Sequence, residues 1–90
     1  MAKPDKEVAE LEYLMRLTGV SAAEACRRAG NMAPSNWSRW FNLGKSPTLS
    51  KFSKFKAAVF DLGFENGVLP DGRHEKTTAQ LIEIAKGWRV

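Results

Sequence analysis

Ninety residues, 43% apolar and 27% charged, suffice for one modest core and exclude a wholly disordered chain. A lone cysteine, Cys26, excludes an internal disulfide. No apolar run is long enough to span a membrane and no signal-peptide pattern follows Met1, so the expectation is a cytoplasmic protein without membrane contact. The net charge of +4 is unevenly spread: residues 16–56 hold eight basic side chains against Glu24 alone, while 1–15 sum to −2 and 57–90 to −1.

Met1 to Pro4 reads as a loose tail. Asp5 to Leu17 reads as a first helix, with acids early, where the helix dipole favours them, and Val8, Leu11, Leu14 and Met15 as its buried stripe. Thr18-Gly19-Val20 breaks it. A second helix over about Ala22 to Ala29 opens on a capping box, Ser21 with Glu24. Its face of Ala22, Ala25, Cys26 and Ala29 is small enough for another helix to approach closely. Cys26 on that face is a core residue rather than a reactive thiol. Gly30 supplies a left-handed cap. A third helix starts near Pro34, which suits a first turn. Trp37, Trp40 and Phe41 recur at helical spacing and can sit against the alanines, which leaves Ser35, Arg39 and Asn42 outward, flanked by Asn36 and Ser38. A small-faced helix, a glycine turn and a bulky-cored helix with a polar outer face form the pattern of a helix-turn-helix.

Gly44 ends the third helix and Lys45-Ser46-Pro47 turns the chain. A fourth helix over about Thr48 to Leu62 has a core stripe of Leu49, Phe52, Phe55, Val59 and Leu62, with Lys51 and Lys54 off it and Phe60 at its edge. Gly63 is read as its cap, with Phe64 folding back. Phe64 to Arg73 is turn-rich, with Asn66-Gly67 and Asp71-Gly72 as turn dipeptides, and reads as an ordered loop. Thr77 with Gln80 repeats the capping-box spacing and opens a fifth helix whose stripe is Leu81, Ile84, Ala85 and Trp88. The expected fold class is all-α: a compact bundle of about five helices with a central helix-turn-helix. It forms one domain over 1–90, the motif-bearing bundle over about 5–64 and the C-terminal helix over about 74–88.

The segments ACRRAG, PSNWSRW and GKSPTLSKF resemble the lambda-repressor-like (Cro/C1-type) helix-turn-helix domains of phage and bacterial repressors, over roughly residues 8 to 64. The chain departs from that pattern in a turn one residue longer between Gly30 and Pro34, Ala33 in place of a Ser cap, Ala22 in place of a phosphate-touching Gln, and an extra Leu43. The resemblance implies a recognition helix that enters the major groove. Arg39 is then the natural reader of guanine, with Ser35, Asn36 and Ser38 beside it at base edges. Asn42, Lys45, Lys51 and Lys54, with Arg27 and Arg28, are placed as phosphate contacts, because the basic excess coincides with this motif.

No catalytic constellation is present. His74 is the lone histidine, and with one cysteine it makes no standard zinc site. There is no Gly-rich phosphate loop. The expectation is therefore a protein that is not an enzyme and needs no cofactor or metal. Its partner is expected to be double-stranded DNA, bound as a homodimer that pairs through Phe60, Ile82 and Trp88. The alternative is a protein-binding module of the same fold, such as a small phage inhibitor of a host nucleic-acid-binding complex. An RNA-binding module lacks support, since the aromatic residues fall on core stripes rather than on a stacking platform.

Overall fold

Capping chemistry sets the helix ends. In the computed structural model, which describes residues 3–88 without the side chain of Trp88, the helices are α1 (Lys6–Thr18), α2 (Ala22–Arg28), α3 (Pro34–Asn42), α4 (Leu49–Glu65) and α5 (Thr78–Trp88). A 3-10 turn at Asp71–Glu75 lies between α4 and α5, and no strand occurs among the described residues. Both expected capping boxes form. Ser21 Oγ accepts from the Glu24 N–H at 3.2 Å, while Glu24 Oε1 accepts from the Ser21 N–H at 3.4 Å. Thr77 and Gln80 make the same reciprocal pair at 3.1 and 2.9 Å. Each box satisfies backbone donors that a helix start leaves without partners. α2 ends through Gly30 at φ 92°, followed by Asn31 at φ 60°.

The core is one cluster drawn from all five helices and from Val20, Val68 and Leu69. α5 packs chiefly along α1, and α4 packs on α2, α1 and the 3-10 turn. The small face of α2, with Ala25 and Cys26 buried, brings its backbone close to α4. Burial also pushes the Cys26 thiol up, which disfavours the thiolate.

α3 packs on α2 and α1, but its rings do not simply cover the alanines. Trp37 stacks on Phe55 of α4 at 4.9 Å between centroids and on Phe41 at 5.7 Å. Trp40 meets Phe52 and Phe55 edge-on at 5.9 and 5.8 Å. The orientation of α3 is thus set by ring contacts reaching across to α4.

Four expectations about α4 and α5 are corrected. Leu49 is 83% exposed and no part of the core stripe, because as the first residue of α4 it precedes the turn that meets the other helices. Gly63 does not cap α4, which runs on to Glu65 with Asn66 as its C-cap and Gly67 at φ 80° beyond it. Phe60 and Ile82, expected at a dimer interface, are 3% and 7% exposed and belong to the chain's own core. The third residue of that set, Trp88, has its side chain outside the described residues. Phe60 is covered because the chain after α4 folds back: the Val68 and Leu69 N–H groups both donate to the Gly63 carbonyl, at 3.0 and 3.2 Å. That reversal brings the 3-10 turn onto α4, with the His74 ring 6.0 Å from that of Phe60. Ile82 is covered because α5 buries the adjacent columns of Leu81 and Ile82 together, a wider stripe than a single heptad seam.

Candidate nucleic-acid interface

With Trp37 and Trp40 turned into the core, the outward face of α3 is fixed by helical periodicity. Ser35, Ser38, Arg39 and Asn42 are exposed there, and Asn36 is half-buried at its edge. Two of the amide side chains are locally engaged. Asn36 Nδ2 donates to the Ala33 carbonyl at 3.2 Å and so closes the first turn of α3, where Ala33 has no side-chain cap of its own. Asn42 Nδ2 donates to Ser38 Oγ at 3.1 Å, one turn back. Arg39 has no ion-pair or hydrogen-bond partner for its guanidinium among the described residues, and the residue is exposed. The C-terminal end of α3 is closed by the Lys45 N–H donating to the Arg39 carbonyl at 3.1 Å, with Gly44 at φ 67° making the reversal.

The expected phosphate contacts divide into groups. Lys45 lies just beyond α3, and Lys51 and Lys54 are exposed on the first turns of α4. Arg27 and Arg28 end α2 and line a surface groove with Glu24 and Leu62, while Arg28 and Lys54 line a neighbouring groove with Gly30 and Asp61. Arg28 differs from the rest: its guanidinium forms a two-pronged ion pair with the Glu65 carboxylate at the end of α4. The hydrogen bond from Arg28 holds the Glu65 carboxyl below the usual range, and Glu65 raises Arg28 in turn. Thirty-seven residues separate the partners, so no sequence spacing announces the pair.

A second polar knot was likewise invisible in the sequence. Asp61 Oδ1 accepts from Arg73 Nε at 3.1 Å, from Arg73 Nη2 at 2.8 Å and from His74 Nε2 at 2.7 Å. The Arg73 guanidinium also covers the Phe64 ring at 4.2 Å, a cation–π contact. Burial alone raises the Asp61 carboxyl, but the hydrogen bonds and charges of His74 and Arg73 outweigh it and leave it below the usual carboxylate range. A carboxyl lowered on folding stabilises the fold above its unfolded pKa, and that contribution fades as pH falls through the lower folded value. Asp61→Asn is therefore expected to reduce the melting temperature at neutral pH. The gap from wild type should close on acidification through and below the usual carboxylate range, as followed by thermal melts over a pH series. A gap that stays constant into strong acid would mean the knot contributes nothing through ionisation.

No group of three or more His, Cys, Asp or Glu side chains among the described residues could hold a metal ion. Among the same residues no helix is long and apolar enough to cross a membrane. Comparison of the chain with protein-family models, with curated proteins and with solved structures gave no match.

Proposed function

We propose that this chain is a sequence-specific double-stranded-DNA-binding transcriptional regulator, a small repressor of the lambda-repressor-like helix-turn-helix class, with α3 as its recognition helix. The observation that carries this reading is the division of α3. Its indoles are anchored on the phenylalanines of α4, while Arg39 stands exposed and unpaired among Ser35, Ser38 and Asn42. A recognition helix needs that combination of a rigid seat and a free hydrogen-bonding face. Charge supports the same reading: residues 25–60 hold seven lysines and arginines and no acid, which concentrates the attraction for phosphate on α2, α3 and the start of α4.

In this reading Arg39 donates to O6 and N7 of a guanine. Lys45, Lys51 and Lys54, with Arg27, neutralise phosphates and fix the register without reading sequence. One α3 reads only a few base pairs, so two copies are expected on one operator, with half-sites about one helical turn, ~34 Å, apart.

Selection of bound duplexes from a random pool tests the reading and delivers the half-site, and sedimentation of the selected complex counts the copies. Arg39→Ala is expected to cost about 1–3 kcal/mol on the selected duplex and to erase its advantage over a scrambled one. The thermal melt should be unchanged, because the Arg39 guanidinium has no partner among the described residues and alanine keeps the backbone bonds. Equal discrimination by wild type and mutant would remove Arg39 from the reading site, and a pool that yields no enriched sequence would remove the function.

A further inference from the structure

The basic surface has a sharp edge. After the acid-free stretch, the first two acids on α4 are Asp61 and Glu65, spaced i, i+4 and so on one face of the helix. Lys54 lies seven residues before Asp61, in the same column. Across from this face stand the last residues of α2, and Arg28 and Asp61 line one groove. Asp61 is occupied by Arg73 and His74. Among the described residues Glu65 has one basic side chain in hydrogen-bond contact, that of Arg28.

Resting on the DNA-binding reading above, we propose that Glu65 restrains Arg28: it withdraws one cation from the phosphate-binding set and thereby holds non-specific duplex affinity down. Carboxylate and phosphate compete for a single fork of donors. A guanidinium bound two-pronged to a carboxylate has used the geometry with which it would grip a phosphate. Phosphate contacts strengthen binding to every sequence alike. A restrained cation therefore lowers the background of non-specific binding and leaves the margin supplied by Arg39 untouched. The pair is half-exposed on both sides, and such exposed pairs add little to stability. Its presence is better accounted for by what it does to the charge of the surface than by what it does for the fold.

The test is a double-mutant cycle on the full chain: wild type, Glu65→Gln, Arg28→Gln and the double variant. Each is titrated against a random-sequence duplex and against the selected duplex, over a salt series. Glu65→Gln is expected to tighten binding to the random duplex about three- to tenfold at low salt. Its dependence of log affinity on log salt should steepen by about 0.9, one released phosphate contact. Its ratio of selected to random affinity should not rise. Arg28→Gln alone leaves the Glu65 carboxylate unpaired and is expected to weaken binding to both duplexes alike. Glu65→Gln made in that background should recover only this loss, so its gain there should be severalfold smaller than in the wild type.

The size of the Glu65→Gln gain in the two backgrounds separates restraint of Arg28 from the general attraction gained by deleting any acid, which would be the same with and without Arg28. Melts of all four proteins are expected to coincide within a few degrees. The proposal is overturned if Glu65→Gln has no effect on the wild type, or if its gain is as large in the Arg28→Gln background as with Arg28 present. If the wild type binds neither duplex at low salt, the DNA-binding reading falls and the restraint with it. If the wild type binds but the cycle is flat, only the restraint falls.

Discussion

Trp37→Ala is expected to cost about 3–5 kcal/mol, the range for truncating a buried aromatic, out of the roughly 5–15 kcal/mol that holds a small domain folded. The indole is 9% exposed and stacks on two rings, those of Phe55 and Phe41. Its removal opens a void where three helices meet, since Trp37 is on α3, Phe55 is on α4, and α3 also packs on α1. For a chain of this size each kcal/mol moves the melting temperature by about 4–8 °C, so the loss should be plain in a calorimetric scan. Leu49→Ala is the matched control. Leu49 is a large apolar residue too, but it lies open to solvent, and its truncation should stay within about 0.5 kcal/mol. A Trp37→Ala melt within a few degrees of wild type would mean that the indole is outside the core and that the outer face of α3 has been misassigned.

Gly63→Val is expected to be the other severe substitution, and Gly63→Ala a milder one of the same sign. In the interior of an exposed helix, alanine is better than glycine by about 1 kcal/mol. Here a Cβ on Gly63 would lie 2.6 Å from Leu69 Cδ1, 2.9 Å from Leu69 Cγ and 3.1 Å from Thr18 Cγ2. Leu69 and Thr18 are both buried, and Thr18 is held by its Oγ1 donating to the Leu14 carbonyl at 2.8 Å. Neither side chain has room to retreat, and forcing extra methyls into such a site costs about 1–3 kcal/mol. Valine adds two more carbons to the same collision and so should exceed alanine. Gly87→Ala in α5 is the contrast, since nothing among the described residues lies within 4 Å of the Cβ it would add. That substitution is expected to be neutral or slightly stabilising. Equal effects of alanine at 63 and at 87 would show that Leu69 does not press on α4 as described.

These two sites also mark what the sequence can and cannot reveal. Much that is governed by short spacing was legible: five helices, two capping boxes, the inward turn of Trp37 and Trp40, and the small face of α2. A cap needs residues three apart and a helical face needs residues three or four apart, so local order carries both. Gly63 was misread because a glycine near the end of a helical pattern ordinarily terminates it. Here the glycine is required by a neighbour that arrives later in the chain, Leu69, and the turn is made by Gly67 instead. Phe60 and Ile82 looked superfluous for a similar reason. Their cover comes from the reversal at 66–70, with Asn66 Nδ2 donating to the Thr18 carbonyl at 2.9 Å across the fold, and from the width of the α1–α5 contact. The outward face of α3 followed from periodicity. The engagement of Arg28 by Glu65 and of Asp61 by Arg73 and His74 did not, because those partners meet only through tertiary packing.

Trp37 and Trp40 lie edge to face, with centroids 6.4 Å apart and planes at 80°. Indoles so close do not absorb independently: their electronic transitions mix and give paired dichroic bands of opposite sign, superimposed on the far-ultraviolet bands of the helical backbone. The spectrum of the folded chain therefore carries a tertiary signature inside the signal ordinarily read as helix content. Trp37→Ala deletes that signature along with the ring, so dichroism would register a change in apparent helicity even where every helix stayed intact. The same coupling makes the pair a native optical gauge of the indole packing on α3, one that responds to any ligand that turns either ring relative to the other and needs no added label.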